Sequence, residues 1–131
     1  MQKKRWVIVR WRKRQRRRIV SKKSQEHYAL HKESARALVH TRVAYFNHLY
    51  NVPIRKIFIK NHKSRWGSCS EKGNLNFNYK IVFLAPELAD YIIVHELCHL
   101  VVFNHSPDFW SLVAQTAPDY KVLRQTLRTI R

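Results

Sequence analysis

Residues 86–103, PELADYIIVHELCHLVVF, are apolar on nearly every side of a helix, yet they carry His95, Glu96 and His99. Pro86 suits the first turn of a helix, and Glu87 sits favourably at its positive end. Leu88, Tyr91, Ile92, Ile93, Val94, Leu97, Leu100, Val101 and Val102 leave no polar face. A helix apolar all round belongs in the middle of a fold. Burying a glutamate and two histidines there without partners would cost several kcal/mol, so the three polar residues need a purpose. His95-Glu96-Leu97-Cys98-His99 supplies one, because i and i+4 lie one above the other on a helix and both imidazoles can reach one cation. Glu96 lies on the flank of the pair. There it can take a proton from a zinc-bound water, whose pKa the metal lowers to about 7. Cys98 points away from that face and is read as core.

Catalytic zinc takes three protein ligands and keeps a fourth position open. No glutamate follows Glu96, so the downstream candidates for the third ligand are His105, Asp108 and Asp119. His105 lies six residues past His99, beyond the end of the helix and just before the Ser106-Pro107-Asp108 start signal of the next one. If Asn104 takes the left-handed conformation that ends helices, the chain folds back and swings His105 over the metal. His105 is therefore the expected third ligand. The following helix carries Phe109, Trp110, Leu112 and Val113. A last helix, about 119–130, has Leu123, Leu127 and Ile130 on one side and Lys121, Arg124, Arg128 and Arg131 on another.

Upstream, Leu75, Phe77 and Tyr79 alternate with Asn76 and Asn78, the pattern of a half-buried strand, and Ile57-Phe58-Ile59 is a second β-type run. Ser70-Glu71-Lys72-Gly73-Asn74 reads as a hairpin turn in which Gly73 is free to take a positive φ. From about Ser24, a helix-capping residue, to Asn51 runs a helical pattern with Tyr28, Ala35, Leu38, Arg42, Tyr45, Phe46 and Leu49 near a 3.6-residue repeat. Asn51-Val52-Pro53 ends it, since the residue before proline leaves the helical region. His27, His31, His40, His48 and His62 are read as surface residues or supports. There are no internal repeats.

The chain has 131 residues and 45% hydrophobic content, enough for one packed core. Its two cysteines, Cys69 and Cys98, are too few for a disulfide framework and are expected as thiols. No apolar run reaches a membrane span, and Trp6–Val9 is too short for a signal core, so a cytoplasmic location is expected. The formal net charge is +18. Residues 1–23 hold twelve Lys or Arg and no acid, whereas the other 108 residues contribute only +6. The reading is a basic arm, 1–23, ahead of a catalytic domain, 24–131. Such an arm suits a nucleic acid or other polyanion, and a solvated tail is the competing reading. Within residues 1–20, Arg5–Arg12 partly alternates apolar and basic side chains, so a short basic hairpin is expected there.

Four ordered motifs resemble the YgjP-like metallopeptidase family, itself similar to the WLM and SprT-like zincins. They are Ser64-Arg65-Trp66-Gly67-Ser68-Cys69-Ser70, Gly73-Asn74-Leu75-Asn76-Phe77-Asn78, His95-Glu96-Leu97-Cys98-His99 and Asn104-His105-Ser106-Pro107-Asp108-Phe109-Trp110. The resemblance is close over 53–131 and loose over the long helix, and an arginine-rich segment replaces the longer β-rich lead-in of relatives. It implies an α+β, minimal zincin fold: a long N-terminal helix, a small antiparallel sheet, the central motif helix and C-terminal helices. It also implies one Zn2+ on His95, His99 and His105, with Glu96 catalytic. Trp66 is read as core, and Arg65 is left open to a substrate or anion role.

The expected reaction is cleavage of peptide bonds by zinc-bound water activated by Glu96. A substrate peptide would pair with the edge of the sheet, for which the Asn76/Asn78 strand is the candidate, and Tyr79 or Arg65 would stabilise the oxyanion. A nucleoside triphosphate pyrophosphatase or other phosphoanhydride hydrolase is the alternative, since a basic metal site attracts polyphosphate. No glycine-rich phosphate cradle or paired-carboxylate magnesium site supports it. A nucleic-acid module with structural zinc fits less well, because structural sites fill the fourth position with protein.

Overall fold

A computed structural model describes residues 6–10 and 21–130. The rest of the expected basic hairpin, residues 1–5 and 11–20, lies outside the described residues. The elements run β1 (Trp6–Arg10), α1 (Lys22–Tyr50), β2 (Lys56–Lys60), β3 (Arg65–Ser70), β4 (Asn74–Asn78), a 3₁₀ turn (Tyr79–Phe83), α2 (Pro86–His99), α3 (Pro107–Ala114) and α4 (Tyr120–Thr129). This is the expected α+β architecture, with helices packed on one small sheet.

The sheet has the order β1-β3-β4-β2 and is mixed, not wholly antiparallel. β1 pairs with β3, and β3 with β4, antiparallel, but β2 runs parallel to β4. The cause is local. After β2 the chain crosses the end of β4 in four residues to begin β3, and Asn78 holds that crossing. Its Nδ2 donates to the carbonyls of His62 (2.7 Å) and Arg65 (3.1 Å). β4 is therefore an inner strand, hydrogen-bonded on both sides, and cannot be the edge expected to receive a peptide. The edges of the described sheet are β1 and β2. β1 lies within the stretch read as a basic arm and is hydrogen-bonded into the sheet.

The β3–β4 hairpin turns as expected on Gly73, at φ +89°. α1 begins earlier than the Ser24 reading, at Lys22. Ser21 is the cap, its Oγ accepting from the Ser24 N–H at 3.1 Å. It ends at Asn51, which adopts the left-handed conformation (φ 51°) and donates its N–H to the Asn47 carbonyl. The buried stripe of α1 is Ala35, Val39 and Val43, whereas Tyr45 and Leu49 of the expected stripe are 64% and 57% exposed. The rest of the expected stripe holds: Ala35 is fully buried, and Tyr28, Leu38 and Phe46 are half-buried against the core. Arg42 and Asp90 clamp the two helices in a bidentate ion pair of 2.8 and 2.9 Å. α2 is central: eleven of its fourteen residues are buried, between α1, β3 and the C-terminal helices. The core around it includes Trp66, Cys69, Leu75, Phe77, Ile92, Ile93, Leu97, Phe109 and Val113.

Candidate active site

α2 ends at His99, four residues before the sequence pattern does, and its last turn tightens. Leu100 N donates to Leu97 O, while Val101 N and Val102 N both donate to Cys98 O. Asn104 is not left-handed; among the described residues only Asn51 and Gly73 have positive φ. Instead the Asn104 Oδ1 accepts from Ser106 N (3.3 Å), a side-chain turn that reverses the chain and carries His105 back over α2. Pro107 then opens α3, which brings Phe109 and Trp110 against the same place.

The result is a convergence of three imidazoles. His95 Nε2 and His99 Nε2 are 3.0 Å apart, His99 Nε2 and His105 Nε2 3.0 Å, and His105 Nε2 and His95 Nε2 3.4 Å. Among the described residues, this trio is the one group of three or more His, Cys, Asp or Glu side chains able to hold a metal ion. Tetrahedral zinc with Zn–N bonds of 2.0–2.1 Å places its ligand nitrogens about 3.3 Å apart, so the spacing fits. The tautomers fit as well. His99 Nδ1 lies 3.1 Å from the Val102 carbonyl, which can only accept, so Nδ1 carries the proton and Nε2 presents a lone pair. His95 Nδ1 lies 3.3 Å from the Tyr91 hydroxyl, which can orient it in the same way.

Burial keeps the trio neutral. It pushes His99 down to about 4, holds His95 well below the usual histidine range and lowers His105. The Arg124 charge adds to the effect on His95 and His105. Three converging lone pairs on neutral rings repel one another unless a cation joins them. Phe109 stacks on His99 (4.2 Å between centroids), and Trp110 lies 25° from parallel with His105 at 5.8 Å, so the rings are held by packing as well.

Glu96 is 0% exposed, and neither carboxylate oxygen has a hydrogen-bond partner. Burial drives its pKa well up, and the Arg65 charge pulls it back. The backbone of β3 makes this placement possible. A Cβ on Gly67 would stand 3.1 Å from both Glu96 Cγ and Oε2 and 3.0 Å from the Asn76 carbonyl oxygen. Gly67 sits inside the Ser64–Ser70 motif, but nothing in the linear sequence marks it as facing Glu96.

The remaining candidates lie in the sheet and in the turn that follows it. Asn76 is buried, its Nδ2 donating to Ser68 Oγ (3.2 Å). Asn78 commits its amide to the crossing loop and its Oδ1 to Lys80 N. Tyr79 falls in the 3₁₀ turn beyond β4, with its hydroxyl 2.7 Å from His27 Nδ1 and its ring against Tyr28 and Phe83. Arg65 is the member of this group whose charge reaches Glu96. Trp66 and Cys98 are core, as read, and both cysteines are free thiols. Asp108 and Asp119, the other third-ligand candidates, are exposed and lie outside the histidine trio.

Among the described residues no helix is long and apolar enough to cross a membrane. No characterised protein sequence matches the chain. Among solved structures, the crystal structure of the metallopeptidase zymogen of Pyrococcus abyssi abylysin aligns with a TM-score of 0.64 at 24% identity, covering 70% of this chain and 92% of that one. That likeness supports the fold. The family described as "YgjP-like, metallopeptidase domain" matches residues 2–130, reaching well upstream of the four motifs. The chain belongs to the YgjP-like metallopeptidase domain family.

Proposed function

We propose that this protein is a zinc peptidase in which His95, His99 and His105 hold one Zn2+ and Glu96 is the general base for hydrolysis of peptide bonds. The observation that carries the reading is the pairing of three converging, neutral imidazole nitrogens with a fully buried carboxylate that has no partner of its own. A zinc ion held by His95, His99 and His105 would supply an activated water, with a pKa of about 7, and a Lewis acid for the substrate carbonyl. Glu96 accepts the proton of the attacking water and returns it to the leaving amine. Its oxygens are unencumbered by other hydrogen bonds, and Arg65 favours the ionised form needed for the first step. A bound dication would favour the ionised form of Glu96 in the same direction. Tyr91 and the Val102 carbonyl orient the imidazoles, so that the ring nitrogens facing the centre stay free of protons.

The orphaned carboxylate also separates this reading from a structural zinc, which has no use for a buried base. The test is a screen of protein, peptides and nucleoside triphosphates with purified protein of known metal content. Peptide cleavage that stops with chelator and returns with Zn2+ is expected. Metal-dependent nucleotide hydrolysis without any peptide cleavage would overturn the assignment in favour of phosphoanhydride chemistry.

A further inference from the structure

The rim of the histidine cluster carries a cation that the hydrolytic step does not use. Trp110 contacts the ligand rings, 5.8 Å from His105 and 6.0 Å from His95. Its indole is also stacked on Tyr120 of α4 (4.7 Å, 16°), and the Arg124 guanidinium lies 5.3 Å from its centroid. Tyr120 and Arg124 are one turn apart on α4, so a single helix face grips the indole with a ring and a guanidinium.

Arg124 is exposed. Its neighbours on α4 include Lys121 and Arg128, and no acid occurs between residues 120 and 130. A guanidinium laid on an indole is pre-oriented, so little side-chain entropy is lost when a carboxylate docks.

We propose that Arg124, held against Trp110 at the rim of the His95/His99/His105 cluster, anchors a carboxylate of the substrate within about three extended residues of the cleaved bond. That reach follows from the two centroid distances, which put the guanidinium no more than about 11 Å from the His105 ring, at about 3.5 Å per residue. The inference rests on the peptidase reading and adds a substrate class to it: peptides presenting an Asp or Glu side chain, or a free C-terminus, close to the scissile bond.

The experiment compares zinc-loaded wild type, Arg124→Gln and Arg124→Lys on a matched series built from a site cleaved in a peptide library. One peptide has an acidic side chain and an amidated C-terminus. The second is its amidated Gln or Asn counterpart, and the third is neutral with a free C-terminus. The wild type is expected to favour a carboxylate peptide over the neutral amide by about tenfold in kcat/KM, through KM. Arg124→Gln should erase that ratio while leaving the neutral amide unchanged, and Arg124→Lys should retain part of it. Which carboxylate peptide is preferred identifies the source of the charge. Calorimetric binding of the same peptides to Glu96→Gln, with and without Arg124→Gln, reads the anchor without turnover. Equal rates on all three peptides, a ratio that survives Arg124→Gln, or an equal loss on every peptide would overturn the anchor and leave the peptidase reading intact. If no peptide is cleaved in a chelator-sensitive way, the peptidase reading falls. The calorimetry then decides the anchor alone: an Arg124-dependent preference for the carboxylate peptides sustains it, and its absence overturns it.

Discussion

Replacing Gly67 with alanine adds one methyl group where β3 passes α2, and the consequence can be worked from three distances. The new Cβ meets the Asn76 carbonyl oxygen at 3.0 Å and Glu96 Cγ and Oε2 at 3.1 Å each. Ordinary contact begins near 3.4 Å, so the neighbours must yield by a few tenths of an ångström. On one side the neighbour is backbone of the paired strand β4, and on the other a side chain that is 0% exposed in the packed core. Neither gives cheaply. Overpacking of this kind costs about 1–3 kcal/mol, offset by less than about 1 kcal/mol from the reduced freedom of the unfolded chain. A net loss of about 1–2 kcal/mol should lower Tm by about 4–8 °C in a domain of this size. Because the displaced group is the proposed base, peptide hydrolysis should fall about tenfold even in the fraction that stays folded. Calorimetry gives the first number and initial rates give the second. In a Glu96→Ala background two of the three close contacts disappear, so the stability cost of Gly67→Ala should shrink. A Gly67→Ala protein with wild-type Tm and wild-type turnover would refute the claim that this glycine exists to admit Glu96.

Three further outcomes are expected. Glu96→Gln keeps the volume of the side chain but cannot accept a proton, so it should fold, retain zinc and lose about 10²–10⁴-fold in rate; full activity at full zinc occupancy would remove Glu96 from the mechanism. His105→Ala should lose most of its zinc by elemental analysis, whereas Asp108→Ala and Asp119→Ala should not, and equal metal content in His105→Ala and wild type would dismiss His105 as a ligand. Replacing Arg12, Lys13, Arg14, Arg16, Arg17 and Arg18 with Gln removes charge without removing β1, and should weaken polyanion binding and flatten its salt dependence; an unchanged salt slope would leave that run no polyanion role.

The motif helix and its two neighbouring signals were legible because local chemistry alone produces them. Two histidines four apart must share a helix face, Pro86 starts that helix, and Ser106-Pro107 starts the next, whatever the rest of the chain does. The elimination that reached His105 used the absence of later glutamates and the distance between two helices, and both are properties of the linear chain. The hairpin turn at Gly73 was equally local, since a positive φ favours glycine.

What only the tertiary structure decided was every relation between segments distant in sequence. Alternation marked 75–79 as a strand but could not say that β2 would run parallel beside it and make it an inner strand, with the Asn78 amide bonded to the His62 and Arg65 carbonyls where the chain crosses from β2 to β3. Helical periodicity found α1 and much of its packed face, Ala35, Leu38 and Phe46 included, but passed over the buried Val39 and Val43 and took in the exposed Tyr45 and Leu49. Asn104 turned the chain through its side chain and not through a left-handed backbone, two solutions that look identical in sequence. Gly67 lay unread, and Arg124 was read only as part of a basic stripe, for the same reason. One matters through a carboxylate 29 positions away and the other through an indole on a different helix. Those distances are set when the sheet and α4 close over α2, not by any spacing along the chain.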